Sequence, residues 1–407
     1  MKGWTSEKRV LTTFNHEEPD RIPIYEGSIE VPELVQSSHS IAIKPGIMFL
    51  SYETLKFFTS TWFQPLRKSF FKILKNPILL QPLVKSAFNR STQLHRTLGI
   101  DLMGYTSGIP MIFSDKLFSD FSINKRNRTI QGLNGKLVLE LPSSDSGGAV
   151  QRNGFLSGPE DYERYMEFNP DHPGNYFLTK KTLAIVKGKI ALLFSVTGAA
   201  FFETMAEMFG FVTLFKFLVK NKNFVKRVVQ DLSDYACSVA EQLIEKGVQF
   251  FYMTDDLGLK AKGMISPRMY ENFFHDKVKK FAKIVHDGGG YIFRHSCGYF
   301  KEYIPFFIKE GMDGVHPWES SAGMDIFEAK QNWGDNFTLI GNVPIGLLSH
   351  GTVQQVVDYC KTLIHLCGPE GGYIGSSSHS IVPSVKWQNY AAMLWIFKKY
   401  GKYPIIN

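Results

Sequence analysis

Short apolar runs, rich in β-branched and aromatic residues, recur along the chain and are followed by longer amphipathic stretches. Most runs end in glycine or polar residues, and from the third onward the intervening segments have the length and periodicity of helices. Strand–helix alternation is typical of a parallel sheet with crossover helices. The runs are at residues 21–27, 101–108, 189–198, 248–256, 289–298, 313–320, 337–343 and 371–378.

This count of strand–helix units predicts an α/β fold, a closed (β/α)8 TIM barrel formed by a single domain over residues 1–407. An open doubly wound sheet is the alternative that the same alternation allows. Two insertions interrupt the pattern, one basic and helical over about residues 30–95, the other over about residues 117–145. The second contains alternating runs around Asn134-Gly135, a strong β-hairpin signal, and we expect it to form a flap outside the barrel.

The net charge of +8 has a local origin. Between Leu55 and Ile100 the chain has eight Lys or Arg residues and no acidic residue, and this stretch is rich in Phe, Leu and Trp. We expect basic amphipathic helices that meet an acidic partner, an anionic substrate or a membrane surface, or else a solvated insertion with an apolar underside. Nucleic-acid-binding signatures are absent, so nucleic acid is not an expected partner.

The cysteines and the hydropathy pattern predict the cellular environment. Four scattered cysteines are too few for a disulfide framework, and we expect a reduced cytoplasm. No apolar run reaches the roughly 20 residues of a membrane helix, and no signal-peptide pattern is present. Cys360 and Cys367 flank a helix end, and we interpret both as packing residues. The sequence leaves the oligomeric state open, a homodimer included.

Polar side chains are concentrated where the predicted strands end. In a TIM barrel those ends meet at one face and carry the active site. His295 and Cys297 are two apart on one strand, so their side chains point the same way. The remaining polar candidates at strand ends are Glu26, Asp255, Asp256, Glu319, Asn342, Ser378 and His379, and Tyr105 and Tyr291 offer hydroxyl groups.

This set of side chains has the chemistry of a zinc site. Zinc takes cysteine sulfur, histidine nitrogen and carboxylate oxygen, and a catalytic site with three protein ligands keeps one position open. We predict His295 and Cys297 as ligands, with Glu319 and His379 as candidates for the remaining positions. The alternatives are that Glu319 pairs with a basic residue at the barrel mouth, that His379 contacts substrate without metal, and that the first two are core residues.

The neighbouring acids Asp255 and Asp256 follow the fourth predicted strand. They are suited to bind a cation, to act as acid–base groups or to anchor a polar substrate, although capping of the next turn would explain one of them. Because side chains alternate, only one faces the pocket easily, and we assign Asp255 as catalytic, together with Glu319 and His379. The predicted substrate-binding residues are Glu26, Tyr105, Asp256, Asn342 and Ser378.

Several motifs resemble the uroporphyrinogen decarboxylase superfamily. They begin with RVLTTFNHEEPDRIPI at residues 9–24 and continue, in the family's order, with DDLGLKAKGMISPRMYENFFHDKVKK, RHSCG, GMDGVHPWE, LIGNV and GGYIGSSSHSIVP. The resemblance covers essentially the whole chain and implies a (β/α)8 barrel. Decarboxylases of this family carry an arginine-rich segment after the first strand that grips substrate carboxylates, whereas RIPIYEGSIEVPELV has no arginine after Arg21.

The HSCG motif is most similar to the zinc methyltransferase branch, which serves corrinoid proteins, and to cobalamin-independent methionine synthase. In that synthase a glutamate follows the His-x-Cys pair at about the spacing of Glu319 from Cys297. In the corrinoid branch a third ligand, usually cysteine, lies in the loop after the last strand, where this chain has His379. The resemblance therefore implies that His379 or Glu319 replaces that ligand, or that the metal is absent.

The resemblance implies a methyltransferase in which zinc acts as a Lewis acid. Methyl transfer, O-demethylation for instance, would run between a small methylated substrate and a thiol or a corrinoid (cobalamin) carried by a partner protein. That partner would dock at the barrel mouth, where the basic insertion is the candidate surface. Two alternatives remain: a metal-free decarboxylase or lyase that uses Asp255 and His379 on a tetrapyrrole-like acid, and a non-catalytic corrinoid- or tetrapyrrole-binding protein.

Overall fold

The structure, a computed structural model, places most of the chain. It describes residues 3–27, 29, 88–89, 91–106, 154–176, 179–196 and 199–405, and the strand segments 122–124, 129–132, 137–140 and 150–151.

Eight parallel strands, β1–β8, form a nearly closed barrel, which confirms the predicted (β/α)8 fold. Neighbours along the chain are hydrogen-bonded neighbours in the sheet throughout. Between β1 and β8 a parallel bridge joins Ile24 to Gly375, whose N–H donates to the Pro23 carbonyl at 2.9 Å. The strands are Tyr25–Glu26, Leu102–Thr106, Ala191–Ser195, Phe250–Thr254, Tyr291–His295, Gly314–His316, Thr338–Val343 and Tyr373–Ser377.

The barrel interior is filled by alternate residues of the strands. Tyr25, Phe250 and Phe293 belong to one buried cluster with apolar residues of the other strands. Val10 and Phe14 of the N-terminal helix Ser6–Phe14 join the same cluster. The Phe14 ring lies 6.0 Å from that of Phe250, the first residue of β4, so this helix covers the amino-terminal end of the barrel. The carboxyl-terminal end of the barrel therefore remains available for a functional site, which is where active sites lie in this fold.

Helices surround the barrel and pack on the outward side chains of the strands. One starts at Ser266, whose hydroxyl accepts from the Met269 N–H, with Pro267 in the first turn, as the Ser-Pro signal predicts. The described helices are Ser6–Phe14, residues 91–98, Pro159–Tyr165, Thr179–Val186, Phe201–Phe209, Phe211–Lys220, Lys222–Glu245, Pro267–Tyr270, Glu271–His275, Asp276–Asp287, Ile304–Glu310, Ile326–Trp333, Ile345–His350, Val353–Cys367 and Trp387–Tyr400. None of these helices is long and apolar enough to cross a membrane.

A second, antiparallel sheet has its first three strands in the segment predicted as a flap and its fourth just beyond it. Its strands are Ser122–Asn124, Thr129–Gly132, Leu137–Glu140 and Val150–Gln151. The second and third pair in hairpin register, from Thr129 opposite Glu140 to Gly132 opposite Leu137. The turn at Asn134-Gly135 lies outside the described residues, and so does the predicted basic insertion, apart from residues 88–89 and 91–95.

Candidate metal centre

Three side chains with ligand atoms meet at the carboxyl ends of β4 and β5. Asp256, His295 and Cys297 place one ligand atom each within 4.8 Å of one another, and we call this set the ligand cluster. The Cys297 Sγ lies 3.3 Å from His295 Nε2, which is 3.7 Å from Asp256 Oδ1. Since Phe293 belongs to the barrel interior, the period of two aims His295 and Cys297 inward as well.

Backbone contacts hold the loop after β5 in place. The Cys297 N–H donates to Asp256 Oδ1 at 2.7 Å, and the Gly298 N–H donates to Glu319 Oε2 at 3.0 Å. The Cα of Gly258 lies so close that a Cβ there would be 2.5 Å from the Cys297 carbonyl. Gly298 has φ +75°, a conformation that favours glycine. The loops after β4, β5 and β6 therefore fix one another.

Of the four predicted ligands, the structure brings together His295 and Cys297 only. The Glu319 carboxylate is occupied by the Gly298 N–H and by the Ser321 hydroxyl, 2.8 Å from its Oε1. His379 acts electrostatically on His295, lowering its pKa, and its carbonyl accepts from Ser377 Oγ at 2.6 Å. Both predicted ligands thus border the ligand cluster without contributing an atom to it.

The two neighbouring acids face opposite ways. Asp256 joins the ligand cluster, whereas Asp255 is fully buried outside the barrel wall. Asp255 Oδ1 accepts from the Glu203 N–H at 2.9 Å, and its Oδ2 lies 3.5 Å from Arg294 Nη2. Burial raises the pKa of Asp255 to about 6, against the opposing effect of Arg294. Asp255 therefore supports the loop and the helix beside it and does not face the ligand cluster.

The electrostatics of the ligand cluster favour a cation. Burial raises the pKa of the Cys297 thiol, and Asp256, Glu319 and Glu203 raise it further. Burial lowers the pKa of His295, although Asp256 acts in the opposite direction. A neutral thiol and a neutral imidazole thus lie among carboxylates, and a bound cation would offset that negative charge. Sulfur, imidazole nitrogen and carboxylate oxygen are zinc's ligand types, so the residues fit this metal.

Two residues near the ligand cluster are absent from the predictions. His316, the last residue of β6, has its Nδ1 2.9 Å from His295 Nδ1. Burial lowers the pKa of His316 well below its usual value. Glu203, in the first turn of Phe201–Phe209, is close enough to raise the pKa of Cys297.

The predicted substrate-binding residues lie in different layers. Glu26 is buried, and its Oε2 lies 2.7 Å from Ser377 Oγ. The Tyr105 hydroxyl is 3.0 Å from Thr182 Oγ1, in the helical layer. Ser378 Oγ accepts from the Ile345 N–H at 3.0 Å, at the start of Ile345–His350.

Asn342, at the end of β7, is the predicted substrate-binding residue that keeps an unpaired polar atom. Its amide donates to the Trp318 carbonyl, and its buried Oδ1 has no hydrogen-bond partner among the described residues. An acceptor without a partner at a strand end is consistent with the predicted contact to substrate.

Comparison with known proteins agrees with the barrel architecture. A family model described as Uroporphyrinogen decarboxylase (URO-D) matches residues 139–400. Among solved structures, a methyltransferase from Methanosarcina mazei is similar with a TM-score of 0.62 and 16% identity, over 98% of this chain and 99% of that chain. D-Psicose 3-epimerase from Clostridium cellulolyticum H10 has a TM-score of 0.40 and 10% identity, over 77% and 93% of the two chains. A search of curated proteins finds no match.

Proposed function

Because the chain belongs to the uroporphyrinogen decarboxylase family, we propose that it is a methyltransferase of that family's zinc-dependent kind. It moves a methyl group between a small methylated donor, such as an O-methyl ether, and a corrinoid protein or a thiol. The observation that carries the proposal is the ligand cluster of Asp256, His295 and Cys297 at the catalytic end of the barrel. The similar fold of a methyltransferase from Methanosarcina mazei supports the proposal.

Asp256, His295 and Cys297 would hold the metal. When bound, zinc supplies Lewis-acid stabilisation of the heteroatom that gives up or accepts the methyl group. Two hydrogen bonds support this arrangement: the Cys297 N–H donates to Asp256, and the neighbouring Gly298 N–H donates to Glu319. The protein thereby fixes the position at which the methylated substrate is aligned with the acceptor.

The transfer has simple requirements for the surrounding side chains. The acceptor's electron pair forms a bond to the methyl carbon while the donor's carbon–oxygen bond breaks, leaving its electrons on the oxygen. That oxygen then needs a proton. We assign this role to His379, which lowers the pKa of His295 and therefore lies beside the ligand cluster, while the Glu319 carboxylate accepts from the Gly298 N–H and the Ser321 hydroxyl and supports the loop. Asn342 Oδ1 is proposed as a contact for the donor.

Arg21, just before β1, and Arg294, on β5, do not support decarboxylation of an acidic tetrapyrrole. Arg21 Nη1 lies 2.7 Å from Asp101 Oδ2, and Arg294 is buried behind the barrel wall next to Asp255. Both guanidinium groups therefore serve the fold and do not face the ligand cluster. The corrinoid partner itself is a proposal, and its predicted docking surface, the basic insertion, lies outside the described residues apart from residues 88–89 and 91–95.

A methyl-transfer assay tests the proposal. The zinc-loaded protein is mixed with free cob(I)alamin or with a thiol, and with a panel of methyl ethers, methylamines and methyl thioethers. Methylcobalamin formation is followed by absorbance, and thioether formation by mass spectrometry. Cys297→Ser should abolish transfer, while Cys237→Ser, a matched change on Lys222–Glu245, should retain it. Decarboxylation of a polycarboxylic substrate that survives Cys297→Ser, with no methyl transfer to either acceptor, would contradict the proposal.

A further inference from the structure

His316 makes two hydrogen bonds that determine where its ring protons are. On neighbouring strands His316 pairs in register with His295, and their Nδ1 atoms are 2.9 Å apart. On the opposite side of its ring, His316 Nε2 lies 3.3 Å from the Ser377 carbonyl. A carbonyl oxygen only accepts, so the proton of His316 is on Nε2.

The packing around His316 favours a neutral ring. Its side chain is 5% exposed, and the rings of Tyr25 and Phe293 lie edge-on at 5.3 and 5.8 Å. Its ring nitrogens face the His295 imidazole and the Ser377 carbonyl, and no described carboxylate is hydrogen-bonded to either, so a charge on this ring would be buried without a counter-ion. With Nε2 protonated and the ring neutral, Nδ1 of His316 has a lone pair.

The tautomer of His295 follows from this lone pair. Two nitrogens 2.9 Å apart need one proton between them, and His316 Nδ1 has none to offer. His295 Nδ1 therefore carries the proton and donates it to His316. The lone pair of His295 is left on Nε2, the atom that lies 3.3 Å from Cys297 Sγ and 3.7 Å from Asp256 Oδ1.

We propose that His316 is a positioning residue that fixes the Nδ1–H tautomer of His295, so that the Nε2 lone pair faces the ligand cluster. A metal-binding histidine commonly donates its other N–H to a carboxylate or a backbone carbonyl, which fixes its tautomer and orientation. In this chain the acceptor is a second histidine, His316, which is itself held by its hydrogen bond to the Ser377 carbonyl. The relevance of the tautomer to a metal rests on the proposed function, whereas the tautomer itself does not.

The first test is made without metal. Histidine labelled with ¹⁵N in the metal-free protein shows which ring nitrogen carries the proton, and His295→Ala and His316→Phe assign the two signals. We expect His295 as the Nδ1–H form, His316 as the Nε2–H form, and loss of the single His295 tautomer in His316→Phe. His295 with its proton on Nε2, or an unchanged His295 spectrum in the variant, would overturn the proposal.

The second test measures zinc affinity by competition with a chelating dye. His316→Phe keeps the ring volume but removes both nitrogens, and should weaken binding about 10–100-fold, the usual cost of losing such a support. His316→Gln should recover most of that affinity, since its amide accepts from His295 and donates to Ser377, a rescue that ring packing alone would not produce. His365→Gln, on the exposed face of Val353–Cys367, is the control.

The two proposals fail differently in these tests. Equal zinc affinity of the wild type, His316→Phe and His316→Gln would overturn the positioning role while leaving the metal centre intact. Absence of zinc binding in the wild type would overturn the proposed function, and the metal-free spectra would still decide the tautomer.

Discussion

Glu26 is expected to be uncharged at neutral pH, and its charge state bears on the loop that carries His379. Its side chain is 1% exposed, and burial raises its pKa to about 8. Its Oε2 is 2.7 Å from Ser377 Oγ, which is 2.6 Å from the His379 carbonyl. Because Ser377 has one hydroxyl hydrogen and a carbonyl only accepts, that hydrogen goes to His379 and the protonated Glu26 donates to Ser377.

The unfolding free energies of the wild type and of Glu26→Gln should differ more and more as the pH rises. The pKa of Glu26 in the folded state is above its ordinary value of 4.5, so the folded form is favoured at low pH and loses stability as pH rises from there to about 8. One pKa unit is worth about 1.4 kcal/mol. Glu26→Gln should therefore match the wild type near pH 4.5 and exceed its unfolding free energy by about 3 kcal/mol at pH 7 and about 5 kcal/mol above pH 9.

Urea unfolding of both proteins between pH 5 and 9 measures this difference directly. Glu245→Gln, an exposed change at the end of Lys222–Glu245, controls for the loss of a surface carboxylate and should show no such trend. A difference between Glu26→Gln and the wild type that stays constant over this range would refute the reasoning, because it would mean that Glu26 titrates alike in both states.

Three further predictions concern the surroundings of the ligand cluster. Asp256→Asn should lower zinc affinity at least about tenfold in the dye competition, since it removes the anionic donor, and unchanged affinity would exclude it as a ligand. Arg294→Met leaves Asp255 buried without its cation and should reduce the unfolding free energy in urea by about 3–5 kcal/mol. Addition of Asp255→Asn should restore part of this loss, and additive losses would argue against their pairing. Gly258→Ala pushes a Cβ into the Cys297 carbonyl and should weaken zinc binding, whereas retention of both zinc and thermal stability would show that the loops are not closely packed.

The barrel and the inward pair on β5 could be predicted because they rest on periodicities. Strand–helix alternation predicts a parallel sheet, and the period of two places His295 and Cys297 on one side. The run VQFFYMTDD on β4 does not alternate between polar and apolar residues, because strands of a parallel sheet covered by helices are apolar on both sides. Alternation alone therefore predicts that one of Asp255 and Asp256 faces inward without deciding which.

The residues that surround the ligand cluster, His316 and Glu203, could not be predicted. Their positions depend on how strands and helices pair, which the neighbouring sequence does not indicate. His316 lies beside His295 because β5 and β6 pair at these two residues. The sequence around His316, VHP, shows no alternation of polar and apolar residues that would have indicated this. Glu203 acts on Cys297 electrostatically from the start of the helix after β3, although the two residues are far apart in the chain. The sequence indicated Glu203 only by its position soon after a predicted strand end, where the active-site residues of TIM barrels lie.

The metal content of the purified protein tests the central claim most directly. Elemental analysis compares the wild type with Cys297→Ser, grown and purified with added zinc, with Cys237→Ser as the matched control. The account predicts about one zinc ion per chain in the wild type and the control, and its loss in Cys297→Ser. Absence of zinc from all three proteins, or full retention in Cys297→Ser, would contradict a metal centre built on Asp256, His295 and Cys297.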